Sequence, residues 1–254
     1  MFIHQTPTKR AASFEDIKSA GMRLAQVLAS TRAQARPGMR LFELEDSVQR
    51  ALAQAGLSAA NREVLGFRYA TSFGLNAVIG GLQTLDARLV PGDLLTVDVA
   101  ARDTIGGLID AAISFCVDDR GQEMSLCAAA EVATRAGIAA IRPGTGPLDV
   151  LVAIRATLLG SGMALAPMAF LHGIGESLHE EPFAEPDAPG SARFEPGMIL
   201  AVEPVLMSAP GRLAWDTTGW EVSTSNGCAT AFVEHTVVVT DTGTRILTES
   251  GADG

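Results

Sequence analysis

The sequence predicts an α+β fold in which one helix–helix–strand unit occurs twice. "RPGMRLFELEDSVQRALAQAG" from Arg36 and "RPGTGPLDVLVAIRATLLGSG" from Arg142 share an Arg-Pro-Gly opening, helically spaced apolar residues and a closing glycine, 106 residues apart. "PGDLLTVD" (residues 91–98) and "PGMILAVE" (residues 196–203) each run from a turn through an apolar strand to a carboxylate, 105 residues apart. Two matches at nearly one offset are the trace that internal duplication leaves in a sequence.

Each element follows from local pattern. "FEDIKSAGMRLAQVLASTRAQA" and "EMSLCAAAEVATRAGIAAI" carry helical periodicity and precede the two Arg-Pro-Gly turns, each of which opens a second, capped helix. Beyond these, "LLTVDVAA" and "GGLIDAAISFCV" read as a hairpin across a turn containing Arg102, Asp103, Gly106 and Gly107. "MILAVEPVLM" and "ATAFVEHTVVVT", the latter after the turn-rich "STSNG", read as strands of the second half. The expected body spans 13–247, with pseudo-repeats at about 13–118 and 119–247, a loose arm at 1–12 that holds His4, and a polar tail at 248–254.

Composition narrows the function. With 254 residues and 47% hydrophobic content the chain can bury a substantial core. A net charge of -10, from 19 basic and 29 acidic residues, argues against a nucleic-acid surface, which needs a basic face. Cys116, Cys127 and Cys228 lack metal-type spacing and are an odd number, so a reducing cytoplasm is expected rather than a disulfide framework. The N-terminus lacks the apolar core of a signal peptide and no run is long enough to span a bilayer, so no membrane partner is expected. Oligomeric state leaves no sequence signal.

Four acids fall where acids are costly. Asp98, Asp110, Glu203 and Glu234 all lie in predicted buried strands, and a carboxylate there must be paired, hydrogen-bonded or bound to metal. "FLHGIGESLHEEP" (residues 170–182) brings two of the four histidines, His172 and His179, among glycines. Four carboxylates with one imidazole form an oxygen-rich set suited to Mn, Fe or Co, with Zn also compatible. His235 adjoins Glu234, but strand alternation turns it to the opposite face, in a structural role.

The order Asp98, Asp110, His172, Glu203, Glu234, together with "HGIG", "HEEP", "PGMILAVEP" and "VEHTVVVTDTG", resembles the methionine aminopeptidase group of the pita-bread (M24) metallopeptidases over nearly the whole chain. The resemblance implies a pita-bread fold, itself a pseudo-twofold duplication around a central site for two divalent ions. It implies that Asp98 chelates one metal, that Asp110 and Glu234 bridge both, and that His172 and Glu203 complete the other. It implies a water or hydroxide between the metals as nucleophile, Glu203 as proton shuttle and His179 as donor to the substrate carbonyl or oxyanion. The implied substrate is a peptide N-terminus.

The chain departs from that pattern at one wall of the site. The family carries a further catalytic histidine, hydrogen-bonded to the scissile amide, upstream of the first metal aspartate. Aligned through Asn76 and "LVPGD" that position is Gly81, and no histidine lies between His4 and His172. Losing one positioned donor costs about 100- to 1,000-fold in turnover. For the methionine-side-chain pocket the chain offers Phe67, Tyr69 and Phe73, with Leu178 in place of an aromatic before "HEEP" and Trp220 in "TTGWEV". Three readings follow: an aminopeptidase with weakened or altered methionine specificity, a metalloenzyme on this scaffold acting on a small amide or carboxylate-containing molecule, and a non-catalytic binding protein.

Overall fold

The computed structural model describes residues 14–104, 107–121 and 123–249. The expected arm at 1–12 lies outside the described residues. The first half contains α1 (Phe14–Gln34), α2 (Leu41–Gln54), β1 (Leu57–Ala59), the single turn α3 (Ala60–Glu63), β2 (Ser72–Leu75), β3 (Val78–Gly80), β4 (Leu94–Asp103) and β5 (Leu108–Cys116). The second half opens on α4 (Met124–Ala140) and α5 (Pro147–Thr157). Strands β6 (Ala164–Leu165), β7 (Leu171–Gly173), β8 (Glu180–Ala184), β9 (Ile199–Val202) and β10 (Leu206–Met207) follow. The chain ends on β11 (Leu213–Trp215), β12 (Val222–Thr224), β13 (Thr230–Ala231), β14 (Glu234–Val239) and β15 (Thr244–Ile246).

The duplication is visible in this order: two helices, then a long strand entered through a Pro-Gly turn. Gly92 and Gly197, at φ +88° and +93°, place those two turns in the same left-handed conformation, which explains the shared glycine. Strands of both halves form one sheet in the order β1-β4-β5-β14-β9-β7-β8, with β2 on β4 and β15 on β14, and the halves meet where β5 pairs with β14.

Strand alternation divides the sheet into two unlike faces. Leu95, Val97, Val99 and Ala101 of β4 with Ile109 and Ala111 of β5 pack under Leu24, Leu28, Leu41, Leu44 and Val48 of α1 and α2. Leu171, Leu200, Val202, Val237 and Val239 pack under Leu126, Ala130, Val150, Leu151 and Ile154 of α4 and α5. All four long helices therefore cover one face, and burying their apolar stripes there is the main source of stability. The residues between, Asp98, Ala100, Asp110 and Ala112, are left to the opposite face.

Two boundaries differ from expectation. Arg102 and Asp103 belong to β4, paired with Leu108 and hydrogen-bonded to the Gly107 carbonyl, so the hairpin turn is shorter than the sequence suggests. The body also continues past 247. Thr248 is buried, and its hydroxyl meets His235 Nδ1 at 3.0 Å and accepts the Thr236 N–H at 3.1 Å, while Glu249 pairs with Arg135. A two-residue extension is retained because it satisfies polar groups on β14. Among the described residues no helix is long and apolar enough to cross a membrane.

Candidate metal centre and substrate cavity

The helix-free face brings the predicted acids together through sheet register. Asp98 pairs with Ala112, and Ala100 with Asp110, so the two aspartates sit diagonally on one face of the β4–β5 ladder. Glu234, first residue of β14, also pairs with Ala112, from the other side. His172 pairs with Ala201 of β9, and Glu203 follows β9 directly, its N–H donating to the Phe170 carbonyl at 2.9 Å. The residues opposite or between these ligand candidates are the alanines Ala100, Ala112 and Ala201, which leave space above the sheet.

The side chains converge. His172 Nε2 lies 3.3 Å from Glu203 Oε1 and 3.8 Å from Glu234 Oε1, and ligand atoms of Asp110, His172 and Glu234 all lie within 4.8 Å of one another. His172 Nδ1 stands 2.9 Å from the Gly173 carbonyl, which can only accept; the Nδ1–H is thereby fixed and Nε2 is the ring nitrogen that faces the carboxylates. Asp110 Oδ1, His172 Nε2 and Glu234 Oε1 are buried without a hydrogen-bond partner. Three orphaned polar atoms pointing at one spot are costly in a protein interior, and a divalent cation satisfies all three. The donor set fits divalent metal.

Electrostatics agree. Burial, with Glu203 beside it, raises the Asp98 carboxyl to about 7, although a hydrogen bond from Ser72 opposes the shift. Burial, and after it repulsion from neighbouring carboxylates (Glu234 and Asp98 on Asp110, Glu203 and Asp98 on Glu234), holds Asp110 and Glu234 well above the usual carboxylate range. At His172 burial pulls downward, but the Glu203 carboxylate outweighs it and the imidazole reaches about 9. Protons are thus held where a cation would otherwise stand.

A cavity of about 150 Å³ adjoins the cluster, and Asp98, Asp110, Glu203 and Glu234 form its floor. His179, Leu178, Phe67, Gly81 and Trp220 line it, as do Asn61, Leu65 and Ser72. The His179 ring stands edge-on to His172, centroids 4.6 Å apart, and burial together with His172 lowers its pKa. Phe67 packs against Trp220 with ring centroids 5.1 Å apart.

Some predicted pocket residues fall elsewhere. Phe73 is fully buried in the helix-covered core, because alternation in β2 turns Ser72 to the cavity and Phe73 away from it. Tyr69 does not line the cavity; its hydroxyl donates to the Gln83 carbonyl at 3.1 Å and its ring packs edge-on to Phe67. Gly81 borders the cavity, but at φ +72° and with a Cβ position 2.0 Å from the Trp220 carbonyl oxygen, so no side chain fits there. The neighbouring Gly80 is less constrained: its Cβ would meet only Ser72 Oγ, at 2.9 Å, on a residue that lines the cavity. Gln83 Nε2 is engaged by the Gly81 carbonyl at 2.6 Å, so its amide holds the turn.

Sequence reasoning missed Asn61, Ser72 and Glu45. Buried Glu45 of α2 accepts the Ala70 and Thr71 N–H groups at 2.7 and 3.1 Å and so positions the start of β2. Its one sequence signal is a carboxylate on the apolar stripe of an amphipathic helix.

The fold and the buried cluster define a metallopeptidase scaffold, and comparison agrees: a model of metallopeptidase family M24 matches residues 15–241, and the chain belongs to that family. Within it, the chain is a methionine aminopeptidase-like hydrolase with the pita-bread fold. It is 32% identical over 253 residues to methionine aminopeptidase 1 of Mycobacterium tuberculosis, covering 95% of this chain and 94% of that one. It is 31% identical to the methionine aminopeptidase of Treponema pallidum, covering 95% of each. The crystal structure of methionine aminopeptidase from Thermotoga maritima superposes with a TM-score of 0.86 at 28% identity, over 95% of this chain and all of that one. A prolidase from Pyrococcus horikoshii, at 16% identity and a TM-score of 0.73, shares the fold over 96% of this chain and 65% of its own.

Proposed function

We propose that this chain removes the N-terminal residue of a peptide, using two divalent ions held by Asp98, Asp110, His172, Glu203 and Glu234, with weakened or altered methionine specificity. The observation that carries this reading is the set of orphaned atoms, Asp110 Oδ1, His172 Nε2 and Glu234 Oε1, gathered beside a cavity that Asp110 and Glu234 line. When bound, such ions polarise a carbonyl and supply an activated water for hydrolysis.

The protein's own groups divide the remaining work. Glu203, with its side chain 18% exposed beside His172, borders the cavity and is placed to carry a proton from water to the leaving amine. His179, neutral because burial and His172 lower its pKa, presents a ring N–H toward the scissile carbonyl as charge develops there. Phe67, Leu178 and Trp220 exclude water around the first side chain of the substrate. The altered specificity rests on Leu178 and on the side-chain-free Gly80–Gly81 wall.

A panel of peptides differing only in their N-terminal residue, offered to protein loaded with Mn(II), Fe(II) or Co(II), tests this. Release of a free N-terminal amino acid, about two ions per chain by elemental analysis, and loss of ions in Asp110→Asn and Glu234→Gln are expected. Full metal occupancy with every peptide intact would overturn it.

A further inference from the structure

Asn61 is an asparagine in an unusual position. It belongs to the single turn α3, is 5% exposed, and lines the same cavity as Asp98, Glu203, Glu234 and His179. Its Oδ1 accepts the Ala100 N–H at 2.7 Å. Only an oxygen can accept from an N–H, so the amide orientation is determined and the remaining atom is the Nδ2 donor. Among the described residues Nδ2 has no acceptor and it keeps solvent-accessible surface, which in a residue that lines the cavity leaves the donor open to a ligand there. The main-chain carbonyl of Asn61 also accepts the Phe67 N–H at 2.9 Å, which ties the turn that carries Asn61 to the residue whose ring packs on Trp220.

We propose that Asn61 determines specificity by donating, through Nδ2, to an acceptor oxygen on the first side chain of the substrate. The preferred residue is uncharged, of methionine's length, and ends in a carbonyl or sulfoxide oxygen; glutamine and methionine sulfoxide both fit. A thioether is a weak acceptor, so a methionyl side chain would leave the nearly buried donor unpaired. A glutamyl carboxylate would accept too, but burying its charge among Leu65, Phe67, Leu178 and Trp220 without a cation of its own costs more than burying a neutral acceptor. A site built to hydrogen-bond its substrate discriminates strongly against an analogue lacking the partner, because its own polar group is then stranded. This deepens the aminopeptidase reading and rests on it.

Methionine and methionine sulfoxide differ by one oxygen, which makes them the cleanest pair. The metal-loaded full chain is offered methionyl, methionine-sulfoxide, glutaminyl and glutamyl versions of one peptide, and dissociation constants for the corresponding amino-acid amides are measured by calorimetry. We expect kcat/KM for the sulfoxide and glutaminyl peptides to exceed that for the methionyl peptide by about 10-fold or more. Asn61→Leu should abolish the sulfoxide-over-methionine preference. Asn61→Asp keeps the acceptor for the Ala100 N–H, which protects the fold, but removes the donor; it should reverse the preference. A wild-type preference for methionine in both kcat/KM and amide binding, or a sulfoxide preference that survives both substitutions, overturns the assignment of Asn61. Cleavage of no peptide, with the amide preference and its loss in Asn61→Asp intact, would sink the aminopeptidase reading and uphold the Asn61 contact.

Discussion

Ser72 stands directly opposite Asp98 across the β2–β4 ladder, and its hydroxyl hydrogen-bonds the Asp98 side chain while accepting the Gly81 N–H at 3.1 Å. Oγ accepts from Gly81 through one lone pair and keeps its hydrogen to donate to the carboxylate, which can only accept. Ser72 therefore orients a metal-ligand candidate and favours its ionised form. Ser72→Ala should weaken binding of the ion that Asp98 holds by about 10- to 100-fold, the usual loss for a partner of a ligand. Calorimetric titration of metal-free protein with Mn(II) measures this, and unchanged affinity would separate Ser72 from the centre.

The two histidines of residues 170–182 should part ways on substitution. His172 is 1% exposed, with Nε2 among the carboxylates, whereas His179 borders the cavity without contacting them. His172→Ala should reduce metal stoichiometry. His179→Ala should keep both ions and lower kcat by about 100- to 1,000-fold, the cost of one oxyanion donor. Equal metal loss in both variants would contradict this division.

The fold, the strands and the gathering of buried acids on one face were legible because acids break an otherwise apolar pattern: Asp98 interrupts "LLTVDVAA" much as Glu203 ends "MILAVE". Alternation likewise separated His235 from Glu234. What could not be read was anything decided by a partner distant in sequence. Asn61 matters because it meets the Ala100 N–H, Ser72 because it faces Asp98, and Glu45 because it collects the N–H groups of Ala70 and Thr71. Residues 60–71 carry no periodicity from which those meetings could be inferred. Phe73 was assigned to the pocket because its register was unknown; pairing of Ser72 with Asp98 puts Phe73 on the helix side. Thr248 was assigned to the tail because a polar residue near a terminus carries no mark of the His235 side chain it meets.

Stability of the metal-free protein should fall as pH rises toward 9. A carboxyl with a raised folded pKa stabilises the fold fully below its unfolded value and loses that contribution as pH rises through the folded one. Asp98, moving from 3.8 to about 7, follows this course, as do Asp110 and Glu234, which burial holds well above the usual carboxylate range. His172, moving from 6.5 to about 9, contributes below 6.5 and loses the contribution on the way to 9, so all four signs agree. Divalent ions replace those protons, and their binding strengthens with pH. The gap in Tm between metal-loaded and metal-free protein should therefore widen from pH 6 to 9 in thermal scans. A gap that stays constant would mean that the ions bind elsewhere.

The glycine wall yields the most discriminating pair of substitutions. Aligned through Asn76, Gly81 holds the position of the family's upstream histidine, but its left-handed backbone strains any side chain by about 1–3 kcal/mol. Its Cβ would also press on the Trp220 carbonyl at 2.0 Å, and overpacking adds about 1–3 kcal/mol more. Gly81→Ala and Gly81→His should both lower Tm by several degrees and displace Trp220 from the cavity. Gly80 is different: its φ is not left-handed, and its Cβ would meet only Ser72 Oγ, at 2.9 Å, the end of a short side chain that can rotate. If a donor facing the scissile amide is what this wall lacks, Gly80→His should fold, retain metal and raise methionyl-peptide turnover by about 10-fold or more, a part of what one positioned donor supplies. Rotation of Ser72 weakens its hold on Asp98, so metal content must be measured beside the rate. A folded, metal-replete Gly80→His variant with no gain would show that the wall is not limiting, and would leave the proposed change of specificity to the side-chain pocket around Asn61, Leu178 and Trp220.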